Sequence, residues 1–450
     1  MKSRKHFYIT ALMLALPNII QQLVTNFSQM VDNIMVGRLQ EIAIAGVTIT
    51  NQIFFIFMIV LLGLGATGGI FISQYRGARN DEKITEVFRV VILFAVLVGI
   101  IFFLMLTFMP EVILGIFARD QATIDSALSY LQYIKYTFLI FPISMAIAAS
   151  YRYISLVKIP MYVSMVTVVI SMSLNYVLIY GHFGFPALGV PGAGIATLVA
   201  RLVEVTIYII LTFKLVTPIR LSIKKAFTFE SYVIKEYVKK GIGLVTNEFF
   251  WAFGLQMTIV IFTSRISDNI AAMSIAGVMT NLLFIGMGGM SVAVSIILGN
   301  SLGQGKFEQA KEDSKKLLKL CTLVGLTLGI SVLIASYFIT MLYDISPETL
   351  TTARLIILAT TVFSWLYYLN AGLFFAIRTG GDTKSVLIMD SGFMWLVVIP
   401  GALIIGKFVP FMALHYFLVQ LIDLLKLALA RHMYKRDNWL NNLTINPKRE

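Results

Sequence analysis

Twelve stretches of the chain, about 9–36, 45–73, 88–109, 127–149, 160–180, 192–213, 241–263, 272–301, 317–342, 355–377, 385–406 and 409–430, are almost wholly apolar, and polar residues collect between them. Each reaches the roughly 20 residues that a helix needs to cross the hydrocarbon core, so the pattern predicts twelve membrane helices. The first run departs from the others: between Phe7 and Val36 the only charged residue is Asp32. Asn18, Gln22, Thr25, Gln29 and Asp32 follow at spacings of four, three, four and three, which puts five polar groups on one helical face. Polar side chains facing lipid would lack partners, so this stripe should line a wet cavity or meet another helix. Pro17, at one end of it, removes a backbone hydrogen bond and predicts a bend.

The pattern repeats itself. YRGARNDEK follows the second run and LGQGKFEQ the eighth, with Gly77 and Gly303 226 positions apart; Arg152 and Arg378, after the fourth and tenth runs, are also 226 apart. Ala45-Gly46-Val47 opens the second run and Ala276-Gly277-Val278 the eighth. The expected architecture is therefore all-α and membrane-embedded: two pseudo-symmetric bundles of six helices in one orientation. Residues 1–213 form an N-lobe, 214–240 a basic cytoplasmic linker, and 241–450 a C-lobe with a cytoplasmic tail. Parallel repeats of this kind are a transporter architecture.

Composition supports a polytopic membrane protein: 58% of residues are hydrophobic and 13% charged, and mean hydropathy is +0.85. The net charge of +13 would suggest nucleic acid in a soluble chain. Here it follows from topology. Of 36 Lys and Arg, 29 fall in the N-terminus, 74–89, 150–160, 213–240, 302–319, 377–385 and 426–450, all on one side if both termini share it. Cytoplasmic loops are enriched in Lys and Arg, so both termini are expected inside and Arg265 and Asp268 outside. Nucleic acid is not an expected partner. The single Cys321 excludes an intrachain disulfide, and His6, His182, His415 and His432 show no metal-ligand spacing.

Asp32 is the first candidate for chemistry. A carboxylate at a helix centre costs about 2.5–3.5 kcal/mol on insertion scales, so intramembrane acids read as functional by default. It is expected to take a proton or a cation in a cavity; the bland alternative is an interfacial acid paired with Arg38. Glu248 sits in the seventh run, where Lys239 or Lys240 could neutralise it. Arg201 and Glu204 are three apart and read as a structural ion pair. Asp390, and Asp423 with Lys426, read as interfacial or structural. GLGATG (63–68) fits a dinucleotide fingerprint, but no strand precedes it, and helix packing through small residues explains it better. Asn442-Leu443-Thr444 fits a glycosylation sequon on the inside. No nucleophile–base or metal-hydrolase motif is present, so no enzymatic activity is expected.

VDNIMVGRLQEIAIAGV (31–47), the GARNDEK and GQGKFEQ loops, LNYVLIYG (174–181), GVPGAGIAT (189–197), and IRTGGDTK followed by Trp395 and Pro400 together resemble the multidrug and toxic compound extrusion (MATE) family over about residues 9–430. The resemblance implies two six-helix bundles around a central cleft and export of cationic or amphipathic drugs driven by inward Na⁺ or H⁺. It assigns Asp32 to a cation site with Asn175 and Thr197, with Ser171 where members usually carry Asn. It makes Pro17 the bend of the first helix. It gives Glu248 to the C-lobe, with Tyr367 near a position where some members carry an acid. Gln22, Thr25, Gln29, Glu248, Trp251 and Tyr367 are the expected drug-cavity residues. The expected protein is a monomeric secondary antiporter of a prokaryotic plasma membrane, with no cofactor beyond the coupling ion and Na⁺ as a possible metal at Asp32. A flippase for lipid-linked saccharides is the nearest alternative, and an ion channel the alternative from another class.

Overall fold

In hydrocarbon every backbone N–H and C=O must find a partner within the protein, and the helix is the local solution to that demand. The computed structural model, which describes residues 2–39, 41–219, 228–264, 269–341 and 345–445, follows it: the regular elements are helices, and no strand occurs among the described residues. Ten helices there are long and apolar enough to cross a membrane, twelve if each of two bent pairs is one span. The expected all-α membrane fold is the one found. Arg265 and Asp268, and part of the 214–240 linker, lie outside the described residues.

The chain divides into two compact units. One, the N-unit, contains Ile20–Ile72 and Asn80–Gly241. It is built from most of α1 (Lys2–Gly37) and α2 (Glu41–Gly77), then α3 (Asp81–Phe108), α4 (Pro110–Gly115), α5 (Gln121–Ile134), α6 (Thr137–Tyr153), α7 (Lys158–Tyr180) and α8 (Val190–Lys214). α7 and α5 pack on α8, and α3 on α6. The core is aromatic: Phe57 and Phe138 are fully buried with centroids 4.8 Å apart, and Phe54, Phe102 and Phe141 close around them. Between spans, side chains cap the helix starts. Asn80 accepts from the Lys83 N–H, and Asp120 accepts from Thr123. The Thr123 hydroxyl and N–H hold the exposed Asp120 carboxyl below the usual carboxylate range.

The other, the C-unit, contains Met1–Ile19, Ser73–Arg79 and Ile242–Glu450. Its helices are α9 (Ser231–Thr263), α10 (Asn269–Gly303), α11 (Phe307–Thr340), α12 (Pro347–Val362), α13 (Ser364–Thr379), α14 (Thr383–Leu387), α15 (Ile399–Phe408), α16 (Met412–Leu421) and α17 (Asp423–Lys435). Two stretches of the expected N-lobe thus group with the second half of the chain, and the contacts show why. Asn18 Nδ2 donates to the Gly288 carbonyl at 3.0 Å. The two glycines that mark the repeat meet each other's helices: a Cβ on Gly77 would strike the Asn300 backbone, and one on Gly303 the Gln74 carbonyl. Because backbone cannot yield there, Gly303→Ala is expected to destabilise the protein by about 1–3 kcal/mol, read as a lowered thermal midpoint in detergent; an unchanged midpoint would show the approach to be looser. Gln74 also ties down the tail, accepting from the Leu443 N–H at 2.7 Å and donating to Thr379 O at 3.0 Å.

Three expected helices are not simple rods. The fourth run, read as 127–149, is two helices, α5 and α6, bent by 55°; the tenth, read as 355–377, is α12 and α13, bent by 47°. The breaks correspond under the internal repeat. In each, the first residue of the second helix turns its hydroxyl back on the preceding turn: Thr137 Oγ1 to Ile134 O at 2.6 Å, Ser364 Oγ to Thr361 O at 2.7 Å. Such back-bonding bends helices. The eleventh run holds two π-helical turns, Ile388–Gly392 and Met394–Val398, between α14 and α15. α1 itself runs unbroken through Pro17. GLGATG lies inside α2, where a Cβ on Gly68 would strike Val91, so the motif serves packing.

Candidate functional site

In the N-unit, the C-terminal part of α1 brings Asp32 against α7 and α8. Asn175 Nδ2 donates to Asp32 Oδ1 at 2.7 Å, and the Ser28 side chain, one turn earlier on α1, bonds the same carboxylate. Asn175 is 2% exposed, and its carbonyl oxygen Oδ1 has no hydrogen-bond partner. An amide that spends its N–H on a carboxylate and leaves its oxygen buried and unpaired sets two acceptor groups side by side. The Asn175 oxygen is the group left without a donor, and a buried acceptor in that state costs about 1–3 kcal/mol. Thr197 on α8 is bonded to Tyr130 of α5, whose hydroxyl lies in the field of Asp32. Ser171 is half-buried one turn before Asn175 on α7. Asp32, Asn175 and Thr197 therefore come together, and Tyr130 and Ser28 join them.

Arg201 and Glu204 form the expected ion pair, Nη1 to Oε2 at 2.6 Å, and the guanidinium stacks over Phe141 at 4.5 Å. The pair is not isolated: the Arg201 charge also acts on Asp32. The cation near Asp32 is thus Arg201 from α8, where the sequence had suggested Arg38.

The polar stripe behaves unevenly. Asp32, Thr25 and Gln22 are half-buried, Gln29 is exposed, and the Thr25 hydroxyl returns to its own helix at Gln21 O, 2.9 Å away. Besides Asn18 and Asp32, the residue of α1 that engages its neighbours here is Gln21, one position off the stripe. Its Nε2 donates to Ser164 Oγ at 2.8 Å, and Arg152 Nη1 donates to its Oε1 at 3.4 Å. Helical spacing identified the face but not which amide on its edge makes the contacts.

The C-unit carries a denser charged network. Glu248 Oε1 is 3.1 Å from Arg378 Nη1, whose side chain is 8% exposed and packed on Phe374 and Phe375. Lys239 or Lys240 had been the expected partner; Arg378 reaches Glu248 instead because α13 packs its end inside this unit. Asn247 is 1% exposed, donates to Asp390 Oδ2 at 3.1 Å, and accepts from Ser391 Oγ at 2.9 Å. Lys426 Nζ lies 2.7 Å from Asp390 Oδ1, so it pairs with the π-turn acid rather than with Asp423 three residues before it. Asp390 is accordingly buried and ion-paired, in line with the structural of its two expected roles. π-Turns recur at functional positions, and this one aims Asp390 and Ser391 at α9. The internal repeat is visible here too: a shift of 226 takes Gln21 to Asn247, Ser164 to Asp390 and Arg152 to Arg378, so the amide contact between the first and fifth spans recurs between the seventh and eleventh.

Trp251 stands edge-on to Phe284, centroids 6.2 Å apart. Tyr367 bonds Gln420 and lies beside Tyr416 and Asp423. The structure thus places Glu248, Trp251 and Tyr367 in one unit and Gln22, Thr25 and Gln29 in the other. Among the described residues no cluster of three His, Cys, Asp or Glu could hold a metal ion, so an ion at Asp32 would rest on one carboxylate and neutral oxygens.

Comparison with known proteins matches both halves. The MatE family model covers residues 17–177 and 246–404. The chain is 24% identical over 397 residues to the probable multidrug resistance protein NorM of Thermotoga maritima, covering 88% of this chain and 85% of that one. It is 24% identical over 411 residues to the multidrug resistance protein MdtK of Yersinia pseudotuberculosis, covering 88% and 87%. Among solved structures, an outward-facing multidrug resistance MATE family transporter superposes with a TM-score of 0.86 at 15% identity over 96% of each chain. A Vibrio cholerae MATE transporter superposes with 0.87 at 15% identity, covering 98% of this chain and all of that one. With the family model matching most of each half of the chain, the chain belongs to the MATE family of membrane transporters, which are not enzymes.

Proposed function

We propose that the chain is a secondary multidrug antiporter that exports cationic or amphipathic compounds in exchange for Na⁺ or H⁺ by alternating access, with Asp32 as the coupling carboxylate. The observation that carries this reading is the unpaired Asn175 Oδ1 beside the Asp32 carboxylate it holds. Na⁺ would complete that oxygen set, with Thr197 adding a hydroxyl. A proton on Asp32 would remove the charge instead. The names of the relatives support drugs as cargo. One charge moving down the membrane potential supplies about 2.3 kcal/mol per 100 mV, and coupling requires only that ion and drug prefer opposite-facing states. Gln22, Thr25, Glu248, Trp251 and Tyr367 offer hydrogen-bonding, charged and aromatic groups suited to amphipathic cations. The protein works as a monomer, without a cofactor, in a bacterial plasma membrane.

Efflux of an ethidium-like dye from proteoliposomes, driven by a Na⁺ or an H⁺ gradient imposed separately, tests the reading. One gradient should drive uphill movement; movement with neither would leave no antiport.

The basic asymmetry sets the orientation, with both termini cytoplasmic. On a Cys321→Ser background, a cysteine at Ser264 should react with an impermeant thiol reagent on intact cells, and one at Ser231 only after lysis. Both positions are exposed, whereas Cys321 is buried, so access rather than burial decides the labelling. The reverse pattern would invert the topology.

A further inference from the structure

The internal repeat shows which partners the N-unit lacks. In the C-unit, Glu248 meets Arg378 at 3.1 Å, Asp390 meets Lys426 at 2.7 Å, and the Tyr434 hydroxyl donates to Ser314 Oγ at 2.9 Å. A shift of 226 turns these pairs into Gln22 and Arg152, Ser164 and Ala200, and Tyr208 and Phe88. Both acids are neutral residues there, and of the two cations only Arg152 remains. The acceptor of the tyrosine hydroxyl is replaced by a phenyl ring.

The contacts bear the marks of that loss. Arg152 is half-buried near the end of α6, and its guanidinium makes one hydrogen bond among the described residues, to Gln21 Oε1 at 3.4 Å. Gln21 in turn spends its N–H on Ser164 Oγ. No carboxylate among the described residues lies within ion-pair distance of Arg152. Tyr208 on α8 is fully buried, and its hydroxyl has no partner. The guanidinium and this hydroxyl lie in each other's field. The unit's other intramembrane charges are committed elsewhere. Glu204, one turn before Tyr208, holds Arg201 at 2.6 Å. Asp32 stands about 16 Å from Gln21 along α1, and the cation that acts on it is Arg201. A cation with donors to spare and a buried hydroxyl without an acceptor share one need, which is a negatively charged oxygen.

We propose that Arg152 and Tyr208 form a binding site in the N-unit for an oxyanion, the carboxylate or phosphate of an amphiphilic ligand. The planar fork of Arg152 suits two oxygens of such a group, and the Tyr208 hydroxyl supplies a further donor. Two carriers bring that chemistry into a membrane: a zwitterionic drug and an anionic lipid. The drug arm rests on the export reading and the lipid arm does not. Both are binding measurements, so they stand apart from whether an ion gradient drives transport.

Calorimetry on the full-length protein, purified in detergent and stripped of lipid, tests the site with matched probes. One pair is a zwitterionic fluoroquinolone and its ethyl ester, which lacks the carboxylate. The other is a short-chain phosphatidylglycerol and the diacylglycerol with the same chains, which lacks the phosphate. In at least one pair the anionic member should bind roughly tenfold tighter or more, and that pair names the carrier. Arg152→Gln should erase the preference. Gln22→Glu, which restores the acid that the repeat carries at Glu248, should reduce it while leaving every donor in place. Equal binding within both pairs, or a preference that survives Arg152→Gln, overturns the proposal. If Arg152→Gln does not give a monodisperse protein, Gln22→Glu decides, and an undiminished preference overturns the proposal equally.

Discussion

Asp32→Asn should insert and fold like the wild type and yet move no drug against an ion gradient. The fold survives because the substitution keeps the acceptor that Asn175 Nδ2 needs at 2.7 Å, keeps the volume, and leaves Arg201 with Glu204 at 2.6 Å. Coupling is lost because a neutral amide offers a cation no charge and a proton no basic oxygen. An ion that binds two states equally shifts neither, however steep its gradient. Turning a conformational equilibrium from 1:99 to 99:1 takes about 5.5 kcal/mol of differential binding. The potential alone supplies less than half of that per charge at 100 mV, by the figure of about 2.3 kcal/mol. The Asp32 carboxylate has to furnish the remainder. Gradient-driven efflux by Asp32→Asn should therefore fall to the level of protein-free liposomes at matched protein amount, while drug binding persists. Ion-dependent efflux at wild-type rates would return Asp32 to the role of an interfacial acid.

What the sequence disclosed, and what it hid, follows the range of each interaction. Twelve spans were legible because apolar length alone decides where a backbone can satisfy itself in lipid. The bends at 135–136 and 363 were not, because the Thr137 and Ser364 hydroxyls that turn back on their helices resemble other hydroxyls in other helices. Gly77 and Gly303 stood out as repeat markers, and close backbone approach is what requires them. Asp32, Asn175 and Thr197 could be placed together through the family resemblance; Tyr130 and Ser28 carried no pattern to single them out. Partners of buried charges were the least legible. Arg378 marked the repeat but gave no sign of reaching Glu248 from another helix. The three-residue spacing of Asp423 and Lys426 suggested a local pair, yet the π turn brought Asp390 within 2.7 Å of Lys426 and took the ammonium.

That misread pair leads to the largest stability effect expected here. Lys426→Met removes an ammonium whose side chain is 17% exposed, and strands an Asp390 that is 11% exposed. Asn247 alone then faces Asp390, and Asp423 loses the one cation whose field it feels on its own helix. Breaking a buried pair from one side costs about 3–5 kcal/mol, because the remaining charge keeps its desolvation penalty without compensation. The exposed pairing of Lys316 with Glu312, 3.8 Å apart with Glu312 74% exposed, sets the contrast, and Glu312→Gln should change stability by no more than about 0.5 kcal/mol. Thermal unfolding in detergent, followed by tryptophan fluorescence, should show a large drop for Lys426→Met and almost none for Glu312→Gln. Adding Asp390→Asn to Lys426→Met should recover most of the loss, since an amide at 390 still meets Asn247 and no longer needs a cation. If Asp423→Asn restores stability where Asp390→Asn does not, the ammonium chiefly serves Asp423, and the pairing seen at Asp390 is the lesser of its two interactions. A Lys426→Met protein as stable as the wild type would mean that lipid, water or a bound ion already compensates both acids.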